Sequence, residues 1–323
     1  MEEPTLAIRG LRAAFPGRTG LVTAVDGVDL TVPHGTIVGL VGESGCGKSV
    51  TALSVMGLLP PPGRVLEGRL RFAGQDLLTL SPKAWRKLRG DRMAMIFQDP
   101  MTSLNPVYSV GRQVAEVLRL HRGLTRPQAR QQTIGLFRQV GIPDPAARYD
   151  AYPRQLSGGL RQRVMIAMAM ACHPQLLIAD EPTTALDGTI QAQILRLMDQ
   201  LRRDHGTAVL LITHNMGVVA QVCDLVYVMY AGQIVEAAET FSLFAAPRHP
   251  YTLGLLRAIP SLETEQERLD TIPGVVPDLA DPPPGCRFCP RCAWAGPECA
   301  QAMPPLTDRG EGHLVRCFRE VTP

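Results

Sequence analysis

The chain has 323 residues, 45% of them hydrophobic and 20% charged, with a formal net charge of +3. That length holds one large domain with an appendage, or two domains, and the composition is that of a globular protein able to bury a full core. So small a net charge leaves no footprint for nucleic acid or an anionic membrane, Glu2-Glu3-Pro4 is the wrong start for a signal peptide, and the longest apolar runs, such as Ala208 to Ile212, fall far short of the ~20 residues that span a bilayer. A soluble, cytosolic protein is expected, unless a partner holds it at a membrane.

From Leu6 to Val32 apolar and polar residues alternate, with turn signals at Pro16-Gly17 and Asp26-Gly27, which predicts antiparallel strands. A short apolar run, Thr36 to Val41, then meets a glycine loop and a helical stretch from Lys48 to Leu59. The loop, Gly42-Glu43-Ser44-Gly45-Cys46-Gly47-Lys48-Ser49, fits G-x-x-x-x-G-K-S. Between a strand and a helix, its glycines let backbone N–H groups wrap phosphates. Lys48 reaches the outer phosphates and the Ser49 hydroxyl ligates Mg²⁺. Lysine occurs only at 48, 83 and 87; here a compact point charge serves better than a planar fork.

Pro60-Pro61-Pro62-Gly63 breaks the chain, and Arg92 to Phe97 reads as a buried strand ending at Gln98. From Val110 to Cys172 the pattern is helical, with breaks at Pro127, Pro143-Asp144-Pro145 and Pro153, and is read as a helical insertion spanning about 100–172. Near its end stands Leu156-Ser157-Gly158-Gly159-Leu160-Arg161-Gln162-Arg163. A Ser-Gly-Gly turn opening a helix offers bare N–H groups and a hydroxyl to an anion. Alone it is an ordinary glycine-rich helix start; following a phosphate loop, it is a second phosphate cradle in one chain.

Strands return at Gln175 to Ala179 and Thr207 to Thr213, separated by a helix near Thr189 to Arg203. The first delivers Asp180 to a Mg²⁺ shell, followed by Glu181, which can polarise an attacking water; the second ends at His214. Ligands of open α/β sheets gather at the carboxyl ends of strands, which gives Gln98, Asp180, Glu181 and His214 one rim. The expected class is α/β: a P-loop NTPase core with a parallel sheet covered on both faces, an antiparallel β subdomain, a helical insertion and a small Cys-rich C-terminal domain. The composition shift near Phe241 divides the chain at 1–240 and 241–323.

In order and spacing, Gly42 to Ser49, Gln98, Leu156 to Arg163, Asp180-Glu181, Ala185-Leu186-Asp187 and His214 resemble an ATP-binding-cassette ATPase over roughly residues 5 to 240. The resemblance implies a head-to-tail dimer in which Ser157, Gly158 and Gly159 of one subunit close over ATP on the other's phosphate loop. It implies Glu181 as catalytic carboxylate, His214 as γ-phosphate switch, and Asp187 as a link across the interface. Gln98 would sense Mg²⁺, beside Ser49 and Asp180, and couple to membrane subunits. Gly42, Ser44, Gly45, Cys46, Gly47, Lys48 and Ser49 would hold the phosphates. Phe15 is the candidate for stacking on adenine, with a core role as the other reading. Leu160 stands where the family often has Gln.

Arg248-His249-Pro250-Tyr251-Thr252, the run Leu255 to Pro260, Gly285-Cys286 and Arg291-Cys292 resemble the C-terminal region of oligopeptide and dipeptide importer ATPases. This implies ATP hydrolysis driving import, with a second, non-identical ATPase, two transmembrane permease subunits and an extracytoplasmic peptide-binding protein as partners, at the cytoplasmic face of the membrane. Importers of nickel or a glycoside are the alternative within the family. A soluble ATPase acting on nucleic acid or ribosomes lacks its basic patch here, and an ATPase-dead scaffold would not keep Lys48, Asp180, Glu181 and His214.

Cys46, Cys172 and Cys223 are scattered, whereas Cys286, Cys289, Cys292, Cys299 and Cys317 crowd together. In a cytosolic chain such crowding favours a metal site over disulfides. The spacings resemble an iron–sulfur run more than two zinc knuckles, with zinc kept as the runner-up. The family resemblance implies a [4Fe-4S] cluster on Cys286, Cys292, Cys299 and Cys317, leaving Cys289 a bystander and the cluster a structural staple.

Overall fold

A computed structural model describes residues 3–18, 20–98, 103–183, 188–259 and 271–319. Strands β1 (Leu6–Pro16) and β2 (Leu21–Val32) pair antiparallel, Leu6 opposite Val32 and Pro16 opposite Leu21, as the alternation of that segment implies. Pro16-Gly17 marks a true reversal. Asp26-Gly27 does not: it lies inside β2, where the register shifts between the Leu11–Val28 and Ala13–Val25 pairs and Gly27 takes a φ of +68°. A strand-interior glycine there makes an irregularity in the ladder rather than a turn.

The wholly buried β3 (Ile37–Val41) leads through the glycine loop into α1 (Lys48–Val55). This helix stops short of Leu59 because Met56 caps it and Gly57 turns left-handed at φ +60°. Strands β4 (Arg64–Phe72) and β5 (Gln75–Asp76) complete an antiparallel sheet of order β2-β1-β4-β5. Then follow α2 (Pro82–Leu88), β6 (Met93–Ile96), α3 (Val110–Arg122), α4 (Arg126–Gln139), the short α5 (Pro145–Arg148) and α6 (Gly158–Met170). Pro127 starts a helix instead of breaking one: it sits in the first turn of α4, behind a capping box of Thr125 and Gln128.

The remaining elements are β7 (Leu176–Asp180), α7 (Gly188–His205), β8 (Ala208–Thr213), α8 (Met216–Val222), β9 (Leu225–Tyr230), β10 (Gln233–Glu239), α9 (Thr240–Ala245), α10 (Pro250–Arg257), α11 (Pro297–Gln301), β11 (Thr307–Asp308) and β12 (Leu314–Val315). Every residue of β7 and β8 is buried, the mark of strands covered on both faces.

The chain divides into two compact units. One comprises Pro33–Thr36 and Thr79–Leu211; in it β6 runs parallel to β7, Met93 opposite Leu176 and Ile96 opposite Ala179, beside helices α2 to α7. The other comprises Met1–Val32, Ile37–Leu78 and Ile212–Pro323. There β3 runs parallel to β9, but β9, β10, β12 and β11 follow one another antiparallel. The expectation of a parallel sheet is thus corrected to a mixed one. Nor does the Cys-rich region stand as a unit of its own, because β12 adds Val315 and Leu314 to Glu236 and Ala237 of β10.

Glu236 pins this addition. It is fully buried and accepts the N–H groups of Arg248 at 2.7 Å and His249 at 3.0 Å, with His313 Nε2 at 2.7 Å from its Oε1. A carboxylate is tolerated out of water only when bonded in this way. Glu236→Ala strands two N–H groups and an imidazole, and is expected to lower stability by about 3 kcal/mol. Thermal unfolding of the nucleotide-free protein checks this; an unchanged midpoint would contradict it.

Candidate functional site

The glycine loop closes tightly on its surroundings. Gly42, at φ +151°, leaves room for no side chain, since a Cβ there would lie 2.1 Å from Met229 O. Gly47, at φ +107°, would place one 2.4 Å from Ala24 O. Lys48 is 5% exposed, and its Nζ donates to Gly42 O and Glu43 O, each at 2.8 Å, and to Cys46 Sγ at 3.6 Å. The ammonium therefore folds back over its own loop, at the N-terminus of α1, where backbone N–H groups and the helix dipole favour an anion. Cys46 is fully buried, and burial pushes its thiol up, so it stays neutral. Ser44 and Gly45 are exposed and Ser49 is half-buried.

In the other unit β7 carries Asp180, 4% exposed, to its last position. Glu181 follows in left-handed backbone, φ +47°, a conformation that persists in a non-glycine residue only where its surroundings hold it. Gln98 Nε2 donates to Glu181 Oε2 at 3.0 Å. The register of β6 against β7 brings these two strand ends together.

The segment Leu156 to Arg163 divides in function. Ser157 caps α6, its Oγ accepting from Leu160 N–H at 3.4 Å; Ser157 and Gly158 are exposed, Gly159 and Leu160 half-buried. Gln162 and Arg163 point inward: Gln162 Nε2 donates to Pro182 O at 2.7 Å, and the Arg163 guanidinium to Val140 O at 2.6 Å, Gly141 O at 2.9 Å and Gln193 Oε1 at 2.6 Å. The exposed half can meet a ligand, while the buried half fixes the helix and the turn after Glu181. His214 is exposed just beyond β8, ahead of Asn215, which caps α8 by accepting from Val218 N–H at 3.2 Å. Phe15 ends β1 half-buried, its ring against Gly63, where a Cβ would lie 2.3 Å from Phe15 Cε1. Asp187 lies outside the described residues.

Cys286, Cys289, Cys292, Cys299 and Cys317 line one small cavity with Phe288 and Trp294. Burial pushes the Cys292 thiol up to about 11, and the charges of Cys317, Cys286 and Cys299 bear on it as well. Cys286 feels Cys317 and Cys299, whereas Cys289 feels only Cys299 among the thiols. Cys286 N–H donates to Cys299 O at 2.7 Å, an approach open only because Gly285 has no Cβ, which would lie 2.3 Å from that oxygen. Among the described residues no three His, Cys, Asp or Glu side chains converge as closely as a single metal ion requires. That bears out neither a zinc tetrahedron nor the cluster site expected on Cys286, Cys292, Cys299 and Cys317.

What the sequence did not reveal is how the extension reaches the phosphate loop. Arg291 Nη1 pairs with Glu43 Oε2 at 2.6 Å across 248 positions of sequence.

Residues 25–184 match the family described as ABC transporter, and 235–299 match the oligopeptide/dipeptide transporter C-terminal region. The dipeptide transport ATP-binding protein DppD of Escherichia coli is 51% identical over 312 residues, 97% of this chain and 95% of that protein. A probable peptide ABC transporter ATP-binding protein of Sinorhizobium fredii is 51% identical over 316 residues, covering 97% of this chain and 94% of that one. A dimeric ATP-binding cassette solved in a post-hydrolysis state with ADP and phosphate superimposes with a TM-score of 0.67 at 24% identity, over 73% of this chain and 98% of that one. This last likeness concerns the fold alone.

Proposed function

The chain belongs to the ATP-binding-cassette transporter ATPases, in the branch that carries the oligopeptide/dipeptide C-terminal region, and from that premise we propose that it is the ATP-hydrolysing subunit of a peptide importer. The observation that carries this reading is that the likeness to dipeptide-transport ATPases runs through the extension as well as the cassette, over 97% of the chain.

The residues take the roles that the family resemblance implies. The backbone from Gly42 to Gly47, with Ser44 and Gly45 open to solvent, cradles the phosphates, and Lys48 turns from its loop carbonyls to their charge. Ser49, Gln98 and Asp180 hold Mg²⁺, which neutralises phosphate charge when bound. Glu181 orients and polarises water, His214 reads the γ-phosphate, and Phe15 stacks on adenine. Ser157, Gly158 and Gly159 serve the nucleotide of the partner ATPase, with Asp187 linking the two. That partner is a non-identical ATPase. Two permease subunits and an extracytoplasmic peptide-binding protein complete the importer, with this chain at the cytoplasmic face. Among the described residues no helix is long and apolar enough to cross a membrane. Cys286, Cys292, Cys299 and Cys317 hold a [4Fe-4S] cluster, which staples the extension.

Lys48→Ala tests the reading. In cells whose only copy of the chain carries it, uptake of labelled dipeptide is expected to fall to background, and the purified chain is expected to lose ATP binding. Unimpaired binding would remove the phosphate loop from the mechanism; retained uptake would remove the chain from peptide import.

A further inference from the structure

We propose that Arg287 and Arg291, the two arginines inside the cysteine run, are positioning residues for the phosphate loop, through which the extension sets the loop's affinity for ATP. The inference rests on the reading that Gly42 to Ser49 bind the phosphates of ATP.

Arg291 is 4% exposed in its side chain, and all five of its N–H groups are engaged. Nη1 donates to Glu43 Oε2 at 2.6 Å and to Tyr230 Oη at 3.4 Å. Nη2 donates to Glu43 Oε1 at 3.0 Å and Ile272 O at 3.1 Å, and Nε to Pro273 O at 2.9 Å. A fork so fully held does not wander like a surface lysine: it clamps the Glu43 carboxylate with two parallel bonds. Gly274 lets the chain pass close by, since a Cβ there would stand 3.3 Å from Arg291 Cγ.

The backbone of Glu43 is held from the extension too. Its N–H donates to Tyr251 Oη at 2.8 Å, and Tyr251 is fully buried against Tyr230 and Phe288, with ring centroids 4.6 and 5.4 Å away. The Glu43 carbonyl accepts from Lys48 Nζ at 2.8 Å. Side chain, N–H and C=O of this one loop residue are therefore all fixed, two of them by the extension.

Arg287 makes a second arm. It bonds the Asp26 carboxylate and Ala231 O. Asp26 N–H donates to Gly232 O at 2.8 Å, and Gly232 N–H donates to Cys46 O, in the phosphate loop, at 2.9 Å. Both arms start beside candidate ligands, since Arg287 follows Cys286 and Arg291 precedes Cys292, with a short 3₁₀ turn, Cys289–Arg291, between them. Whatever fixes those cysteines fixes the guanidinium groups, and through them the shape of the loop before ATP arrives. A loop shaped in advance binds more tightly because less ordering is left for the ligand to impose.

The test is a titration of the full-length chain with a fluorescent ATP analogue and Mg²⁺, comparing Arg291→Gln, Glu43→Gln, their double variant, Arg291→Lys and Tyr251→Phe. Each single Gln variant is expected to raise Kd about tenfold, the loss of one charge-assisted pair. The double variant is expected to be no weaker than either single one. Arg291→Lys is expected to recover part of the affinity and Tyr251→Phe to lose a few-fold. Cys292→Ser is expected to raise Kd in the wild-type background and add nothing to Arg291→Gln. Melting of the nucleotide-free variants separates positioning from stability, since a merely structural pair lowers the midpoint and leaves Kd alone. Should Arg291→Gln fail to fold, Glu43→Gln carries the comparison from the loop side. Kd within about twofold of wild type in folded variants, or additive losses in the double variant, overturns the inference. If Lys48→Ala abolishes binding in the same assay while these variants keep it, only the inference falls; if Lys48→Ala binds normally, the ATP-site reading falls instead.

Discussion

Glu181→Gln is expected to cut ATP turnover about a thousandfold while leaving ATP affinity within about twofold of wild type. The substitution keeps volume and shape. Gln98 Nε2, now 3.0 Å from Glu181 Oε2, finds an amide oxygen in the same place, and Gln162 still holds Pro182 O at 2.7 Å. The left-handed backbone at Glu181, φ +47°, is expected to persist with these contacts in place. What disappears is the carboxylate's capacity to polarise water. Phosphoryl transfer depends on positioning and charge more than on covalent chemistry, so binding and dimer closure survive and turnover does not. Single-turnover kinetics measure the loss, and size-exclusion chromatography with ATP and Mg²⁺ reports a closed dimer that no longer reopens. Hydrolysis at the wild-type rate would take the role of base away from Glu181. Loss of ATP binding would mean that the carboxylate serves the ground state.

The phosphate loop was legible in sequence because its chemistry is local: eight consecutive residues carry it, and sterics then demand glycine at 42 and 47. Gln98, Asp180 and Glu181 were legible as strand ends, though only the β6–β7 register showed that Gln98 bonds Glu181. Strand direction was less accessible. An apolar run such as β3 reports burial on two faces and says nothing of the partner's polarity, so the antiparallel succession from β9 to β11 came only with the fold. Asp26-Gly27 misled as a turn because a left-handed glycine serves a strand irregularity equally well. The bond from Arg291 to Glu43 is out of reach for any window of sequence, although both residues sit inside motifs that could be read separately. The cysteine run was legible as a cluster of thiols. That all five line one cavity came only with the fold.

Anaerobically purified protein is expected to carry about four irons per chain and to absorb near ~400 nm, and Cys299→Ser is expected to abolish both. Cys299 is 6% exposed and Cys317 8%; the charges of Cys299 and Cys317 reach both Cys286 and Cys292. Cys289 lines the same cavity, but the family resemblance leaves it outside the set of four, so Cys289→Ser is expected to keep iron and colour. The contrast between these two variants is the decisive measurement. A zinc site would give a colourless protein with one zinc per chain and would replace the cluster. Loss of iron from both variants alike would make Cys289 a ligand and break the set of four. The consequence for the fold is directional. The region bounded by Cys286 and Cys317 offers only short elements, with α11 spanning Pro297–Gln301 and β11 and β12 two residues each. A metal group that binds the folded form and not the unfolded one adds its binding free energy to stability. Cys299→Ser is therefore expected to lower the unfolding midpoint beyond what one buried thiol explains. Iron removal from the wild-type chain is expected to lower it by the same amount, whereas equal midpoints before and after iron removal would leave the cluster without a structural role.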